Sequence, residues 1–361
     1  MAILGWRDEP TDAVEEYCQY LSRALSTREI QLQITRVAWP EIGWKRALAG
    51  MRQQLDRSDV TWVLLQYTAL GWSRRGLPLR TLEVIRILKS GHARCAVVFH
   101  DAGPYEGGRW VDRFRRKIQL YVMRRIVRMA DVAVVTICAA NIAWLPKNLQ
   151  NVVFIPVGAN LPNPENAWQH TKKGHMEKPT VAVFSMTDGG AGEKENEHIA
   201  AAVRFASDKI GPVRLSVLGR HSDIGGRALR EKLAGSHVEV VIHGLLEAKE
   251  VVRILGESDV MLFVRGPVSS RRGSALAGIS CGLPLVATAG GETAAPLTEA
   301  GVVLVPEGSS DDLGRALLRV LQNDMFRASL REQSQRAHAE HFSWDAIATK
   351  YVAELHKSNK R

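Results

Sequence analysis

Four segments of this 361-residue chain combine residue types that could bind or transform a ligand. The densest runs from Val264 through Arg265, Gly266, Pro267, Val268, Ser269, Ser270, Arg271, Arg272, Gly273 and Ser274 to Gly278. It reads as a strand passing into a helix capped by Ser274. Backbone N–H groups, the positive end of a helix dipole and two guanidinium forks would then face one loop, a composition suited to phosphate oxygens. A solvated arginine turn is the plainer alternative. Ser185 to Lys194 is a glycine-rich loop after a strand, where glycines admit a ligand to the backbone and Lys194 offers a point charge. Its spacing is neither G-x-x-x-x-G-K-[ST] nor G-x-G-x-x-G, and a flexible loop explains it equally. Gly290-Gly291-Glu292 is a tight turn that either faces an anion or simply joins strand to helix. His100, at the end of an apolar strand and followed by Asp101, can donate a hydrogen bond, act as acid or base, or merely cap the strand.

These segments need strands and helices to hold them. Ala2–Trp6, 30–37, 60–66, 96–100, 132–137 and 152–156 read as strands, with a helix capped by Asp12 and another over 79–89 among them. Proline-rich residues 161–179 read as a linker. The alternation then restarts with strands at 180–185, 214–218, 238–243, 260–264, 285–287 and 302–305, and helices at 197–208, 227–234 and 249–257. The chain is helical beyond Asp311. Near-continuous apolar strands alternating with helices imply parallel sheets covered on both faces. The expected fold class is therefore α/β, with two doubly wound Rossmann-like domains over 1–160 and 180–344, facing a cleft.

Composition limits the function classes. The chain is 45 % hydrophobic and 24 % charged, which excludes wholesale disorder. Its four cysteines lie far apart, so neither a disulfide framework nor a cysteine zinc site is expected, and a reducing cytoplasm is the default compartment. No signal peptide, membrane span, metal-ligand constellation or G-x-S-x-G elbow is present in the pattern. The net charge of +10 is concentrated: residues 1–160 hold 23 Lys and Arg against 14 Asp and Glu. Between Arg109 and Arg128 stand eight basic residues, including Arg113, Arg115, Arg116 and Lys117, against Asp112 alone. Val111, Phe114, Ile118, Tyr121, Val122, Ile126 and Met129 recur there at helical spacing, giving an amphipathic helix with a basic face. Such a face can be solvated, meet an anionic membrane or lipid phosphate, or bind nucleic acid. The last is disfavoured, because no nucleic-acid-binding motif accompanies it.

The order of Phe154–Asn160, Val217-Leu218-Gly219, His243-Gly244-Leu245, Ser258-Asp259-Val260, Cys281–Ala287, Gly290-Gly291-Glu292 and Phe342-Ser343-Trp344 resembles family-4 retaining glycosyltransferases of the GT-B fold (glycosyl transferases group 1). The first half is matched mainly by Val98–Asp101. The resemblance implies two Rossmann-like domains enclosing a nucleotide-sugar donor without a metal or other cofactor, the acceptor coming from the first domain. It implies that His100 contacts the donor sugar, that Gly244 and Leu245 lie in the loop reading the nucleobase, and that Lys194 meets the diphosphate. Three features depart from the family pattern. Ser269 and Ala277 stand where two glutamates eight apart are usual, and Ser185 and Met186 where an arginine is. Arg7–Thr11 replaces a glycine-rich loop.

The resulting expectation is a cytoplasmic hexosyltransferase of polysaccharide or cell-surface glycan synthesis, peripheral at the inner membrane face, acting on a glycan or lipid-linked acceptor. His100 and Asp101 are its catalytic candidates. Lys194, Gly219, Gly244, Leu245, Ser269, Ser270, Arg271, Arg272, Gly273, Ser274, Gly290, Gly291 and Glu292 are its donor-binding candidates, with Arg271 and Arg272 replacing the missing phosphate arginine. Arg113, Arg115, Arg116 and Lys117 would meet membrane or acceptor. A helix at about 345–361 is expected to pack on the first domain. The rivals are a non-catalytic GT-B module without the two glutamates, and a sugar-nucleotide epimerase.

Overall fold

The computed structural model describes residues 1–6, 12–172 and 178–359; Arg7–Thr11 and the middle of the expected linker lie outside the described residues. The chain forms two compact units, Met1–Val157 with Trp344–Arg361, and Gly158–Ser343.

The first unit is a six-stranded parallel sheet built from β1 (Ala2–Leu4), β2 (Ile34–Arg36), β3 (Trp62–Tyr67), β4 (Arg94–Phe99), β5 (Val132–Val135) and β6 (Val152–Phe154), in the order β2-β1-β3-β4-β5-β6. Strand side chains alternate between its faces. Val63, Leu65, Val97 and Val135 pack with Val84, Ile85, Val122 and Ile126 of the helices Thr81–Ser90 and Trp110–Met129. Leu64, Ala96, Val98 and Val134 pack on the other face with Tyr17, Cys18 and Leu21 of the helix Ala13–Ser26, and with Ile347, Ala348 and Tyr351. Those last three belong to the helix Trp344–Asn359, tied to Ala13–Ser26 by a 2.7 Å hydrogen bond between the hydroxyls of Tyr351 and Tyr17. Asp12 caps Ala13–Ser26, its Oδ1 accepting from the N–H groups of Val14 and Glu15.

The second unit holds β7 (Thr180–Phe184), β8 (Val213–Leu218), β9 (Val238–Gly244), β10 (Val260–Phe263), β11 (Leu285–Thr288) and β12 (Val302–Val305), parallel and ordered β12-β11-β10-β7-β8-β9. Its described elements depart from the sequence reading in two places. The helix after β7 begins at Gly189, not near 197, so most of the expected glycine-rich loop is helical. The described part of the expected linker belongs to this unit: Pro164–Lys172 is helical, Trp168 Nε1 donates to Ser280 O at 2.9 Å, and Glu165 meets His338 Nε2 at 2.8 Å. Two helices of the first unit, Trp39–Ile42 and Trp44–Asp56, were not expected.

Each sheet has one switch point, where a strand has its successor on one side and a later strand on the other. In the first unit β1 lies between β2 and β3; in the second β7 lies between β8 and β10. Crossover helices diverge there, leaving a crevice at the carboxyl ends of the strands.

Candidate functional site

At the switch point of the second unit, β7 ends at Phe184 and Ser185 turns the chain with φ +62°. Ser185 N–H donates to Leu218 O at 2.8 Å and Met186 N–H to Arg220 O at 2.9 Å, pinning the loop to the end of β8. Thr187 is held by the buried Glu195, whose Oε2 accepts from Thr187 N–H at 2.9 Å and whose Oε1 accepts from the threonine hydroxyl. A Cβ on Gly192 would lie 2.1 Å from Thr187 O, so only glycine lets the helix Gly189–Ile210 start this close to the loop.

Arg265 follows β10 and extends its Nε to 3.5 Å from Thr187 Oγ1. Burial, and then the charge of Arg220, push its pKa down against the opposing pull of Glu195. Arg272 is more deprived. Its Nε is buried with no hydrogen-bond partner among the described residues, and its Nη2 lies 3.8 Å from where a Cβ on Gly266 would stand. Burial lowers its pKa, Arg271 and Arg265 lower it further, and Glu292 and Glu195 offset this in part. A half-buried guanidinium whose buried Nε lacks an acceptor marks a place that an anion would complete.

Arg271 is differently placed. Its Nε and Nη2 hold Glu292 Oε2 and Oε1 at 2.8 and 3.1 Å, a bidentate pair, and Ser269 Oγ donates to the same carboxylate at 3.1 Å. The arginine and hydrogen bonds keep Glu292 ionised below the usual carboxylate range, although burial opposes them. Adjacent arginines thus have opposite circumstances: one is neutralised, the other is not.

The remaining donor candidates fall into place around this loop. Arg272, not Ser274, is the N-cap of the helix Gly273–Ser280, without a side-chain cap bond, so Ser274 lies within the first turn. Ser269 and Ser270 are buried. Gly290 N–H is taken by Thr293 Oγ1 at 3.0 Å, and a Cβ there would strike Pro267 at 2.4 Å; this turn serves close packing, whereas Gly291 is open. Gly219 N–H donates to Gly244 O at 2.8 Å, and a Cβ on Gly219 would meet Ser185 Oγ at 2.8 Å, which places both glycines beside the β7 loop. Leu245 is exposed. Lys194 is exposed on the helix Gly189–Ile210 and makes no ion pair among the described residues.

In the first unit the switch point holds a cavity of about 310 Å³, lined among others by Asp12, Arg36, Gln66, Thr68 and Asp101. Among the described residues its charges are satisfied locally. Arg36 bonds Asp12 at 2.9 Å, Glu15 at 2.8 Å and Gly5 O at 2.7 Å, and Asp101 Oδ2 accepts from Ala69 N–H at 2.6 Å. His100 stands edge-on to Tyr17, ring centroids 5.0 Å apart, with Nε2 2.8 Å from Gln66 Oε1. Gln66 Nε2 donates to Leu64 O at 3.3 Å, so Oε1 accepts, the histidine proton sits on Nε2, and Nδ1 is left as an acceptor. Burial drives the His100 pKa down to about 4, Asp12 opposing, so the ring is neutral near pH 7. Donation of a hydrogen bond to a ligand, one of the expected roles, is taken up by Gln66 in this tautomer.

The basic helix is Trp110–Met129. Val122 and Ile126 of the expected apolar stripe are buried, but they share the inward face with Asp112, Gln119, Met123 and Val127, while Val111, Phe114 and Tyr121 are exposed. Arg113 and Lys117 are exposed with no hydrogen bond or ion pair among the described residues, and Arg116 lies 3.6 Å from Glu106. Arg115 is turned inward, bonding Asp112 at 2.9 Å and Arg75 O at 3.0 Å, and so is removed from the outward basic set.

The spacing signals found the Arg271–Ser274 loop but assigned no role to Arg265, Arg220 or Glu195. Their relevance comes from strand order, since Arg265 follows the strand that flanks the switch point.

Residues 189–323 match the family model described as glycosyl transferases group 1. No curated protein matches the sequence. Among solved structures, sucrose-phosphate synthase from Thermosynechococcus elongatus superposes with a TM-score of 0.68 at 16 % identity, covering 99 % of this chain and 98 % of that one. The Anabaena protein HepE, in complex with UDP and glucose, gives 0.64 at 13 % identity, covering 99 % and 100 %. WaaG, a glycosyltransferase involved in lipopolysaccharide biosynthesis, gives 0.61 at 15 % identity, covering 97 % and 98 %. These likenesses show a GT-B-like fold of two six-stranded parallel sheets. Residues 189–323, within the second unit, are thus similar to glycosyl transferases of group 1, and the chain has a GT-B-like fold.

Proposed function

We propose that the chain transfers a hexosyl or related group, with retention and without a metal ion, from a nucleoside diphosphate sugar to a hydroxyl of a glycan or lipid-linked glycan at the inner face of the cytoplasmic membrane. The observation that carries this reading is the half-buried Arg272 guanidinium near Arg265, its buried Nε unpartnered among the described residues. When the bond between the sugar C1 and the diphosphate breaks, the electron pair leaves with the β-phosphate oxygen. Fixed positive groups at that oxygen favour the transition state over the ground state. Arg265 and Arg272 supply those groups. Arg271 holds Glu292, whose carboxylate is the one closest to the Ser269 position and is suited to accept hydrogen bonds from sugar or ribose hydroxyls. The turns at Gly219 and Gly244, beside the β7 loop, are the ones we assign to the base. HepE has been solved with UDP-glucose, which makes uridine nucleotides the first to test. In the first unit, the cavity with paired charges and the neutral His100 suit an uncharged, hydroxyl-rich acceptor.

One observation favours a non-catalytic module instead, the serine and alanine at 269 and 277. Calorimetric titration of UDP, GDP, ADP, TDP and their sugar conjugates in EDTA decides between them. One nucleotide family is expected to bind, with Arg272→Ala weakening it roughly 10- to 100-fold, as loss of a charge-assisted hydrogen bond implies. Arg271→Ala is expected to change affinity less. Absence of binding by every nucleotide at millimolar concentration would reject the transferase reading. Binding without release of nucleoside diphosphate in the presence of glycan-lipid extract would favour the module.

A further inference from the structure

The helix Trp110–Met129 carries large aromatic side chains where a helix of this kind ordinarily presents only polar ones. Trp110 is 80 % exposed, Phe114 55 % and Tyr121 50 %. At positions i, i+4 and i+11 they lie along one outward line about 16 Å long. Arg113, Lys117 and Arg124 flank that line on one side and Arg125 on the other, Arg125 standing over the Tyr121 ring at 6.0 Å. The core of the unit does not need them: Val122, Met123, Ile126 and Val127 fill the inward face. Gln119 on that face is satisfied too, accepting from Tyr105 N–H at 2.7 Å and donating to Gly76 O at 2.8 Å. The Gln119 and Arg115 bonds also fix the loop around Arg75 and Gly76 beside the helix, and that loop adds exposed Arg74, Arg75 and Leu79.

From this arrangement we infer that the outward face of Trp110–Met129 docks on an anionic phospholipid bilayer, with Trp110, Phe114 and Tyr121 entering the boundary between headgroups and acyl chains. Indole and phenol rings are amphipathic and settle at that depth, while flanking cations meet lipid phosphates. A merely solvated basic face explains the arginines but leaves three aromatic rings in water. A polynucleotide would engage the charges, yet Val111 and Leu79 offer nothing to a base or phosphate. The helix is the next one after β4, whose carboxyl end is followed by His100 and Asp101, so docking brings this side of the first unit towards the lipid surface. The inference gives the acceptor side of the proposed function a physical location. It is independent of the arginine site in the second unit.

The test uses the full chain and extruded vesicles of phosphatidylcholine, with and without phosphatidylglycerol, at low and high salt. The protein is expected to sediment with the anionic vesicles and much less with the neutral ones. Arg113→Gln, Lys117→Gln and Arg125→Gln together should lower partitioning roughly 100-fold, as three interfacial charges imply. Trp110→Ser, Phe114→Ser and Tyr121→Ser together should lower it at least tenfold and remove the part that survives high salt. Bromine-labelled acyl chains should quench wild-type fluorescence more than that of Trp110→Phe. No sedimentation with anionic vesicles overturns the proposal, as does an aromatic variant that binds like wild type, or tight binding of a 30-nucleotide RNA without vesicle binding. All substituted residues are exposed. Unchanged melting temperature and nucleotide titration of each variant separate a docking defect from misfolding or failure of the donor site.

Discussion

Two crevices of similar architectural origin carry opposite electrostatic states. In the first unit the described charged groups at the switch point are answered from within: Arg36 by Asp12 and Glu15, Asp101 by a backbone amide, His100 by remaining neutral. In the second, Glu195 is occupied by Thr187 and Glu292 by Arg271, leaving Arg265 and Arg272 in mutual repulsion. A crevice that is electrostatically complete favours a neutral ligand, because a charge entering it would meet no counter-charge. A crevice with surplus buried cations is destabilised until an anion arrives, which converts part of its own strain into affinity. The parallel β/α scaffold therefore does not dictate ligand charge; a handful of loop side chains does.

Breaking this contrast at His100 should have the largest effect. Its folded-state pKa of about 4 lies below the ordinary 6.5, so the unfolded chain takes up the proton first as pH falls. Stability contributed by the neutral ring is present above pH 6.5 and is lost on descending to pH 4, by about 3 kcal/mol at most. Denaturant titrations between pH 7.5 and 4 should show this slope in the wild type and its loss in His100→Gln; equal slopes would refute a buried neutral histidine. The second prediction concerns signs. Without ligand, Arg272→Met should raise the stability of the second unit by about 1 kcal/mol, since it removes an unpaired buried cation. Arg271→Met should lower it by about 1 kcal/mol by stranding Glu292. If both variants lose stability, Arg272 has a structural partner and the contrast fails. The smallest effect is local: Tyr351→Phe, deleting the hydroxyl bonded to Tyr17, should cost about 0.5 kcal/mol in the unfolding of the first unit only. Calorimetry resolving two transitions would show which one moves.

The strands were legible because buried parallel strands are short β-branched runs such as Val132–Val135, and the Asp12 cap was legible because its chemistry is local. The helix starting at Gly189 was hidden by glycines that disfavour helix in isolation; Gly192 is there because Thr187 O leaves no room for a side chain. The inward face of Trp110–Met129 was misread because periodicity counts apolar residues. Polar Asp112 and Gln119 are buried there, bonded to neighbouring backbone, while aromatic residues face out. Arg271 and Arg272 are identical in kind and adjacent in sequence. What separates them is Glu292, brought to one of them by the turn after β11, a long-range fact that no local pattern encodes.

The helix Trp344–Asn359 completes the core of the first unit, yet the ribosome makes it only after residues 158–343. The second unit is topologically an insertion, and its strands are all in hand before the first unit can close over Tyr17, Cys18 and Leu21. At typical synthesis rates of 5–20 residues per second, the unfinished half waits roughly 10–40 s with that apolar face uncovered. During birth, then, the order of maturation is reversed: the later-encoded unit has all its strands first, and the earlier one keeps that apolar face uncovered until its closing helix emerges.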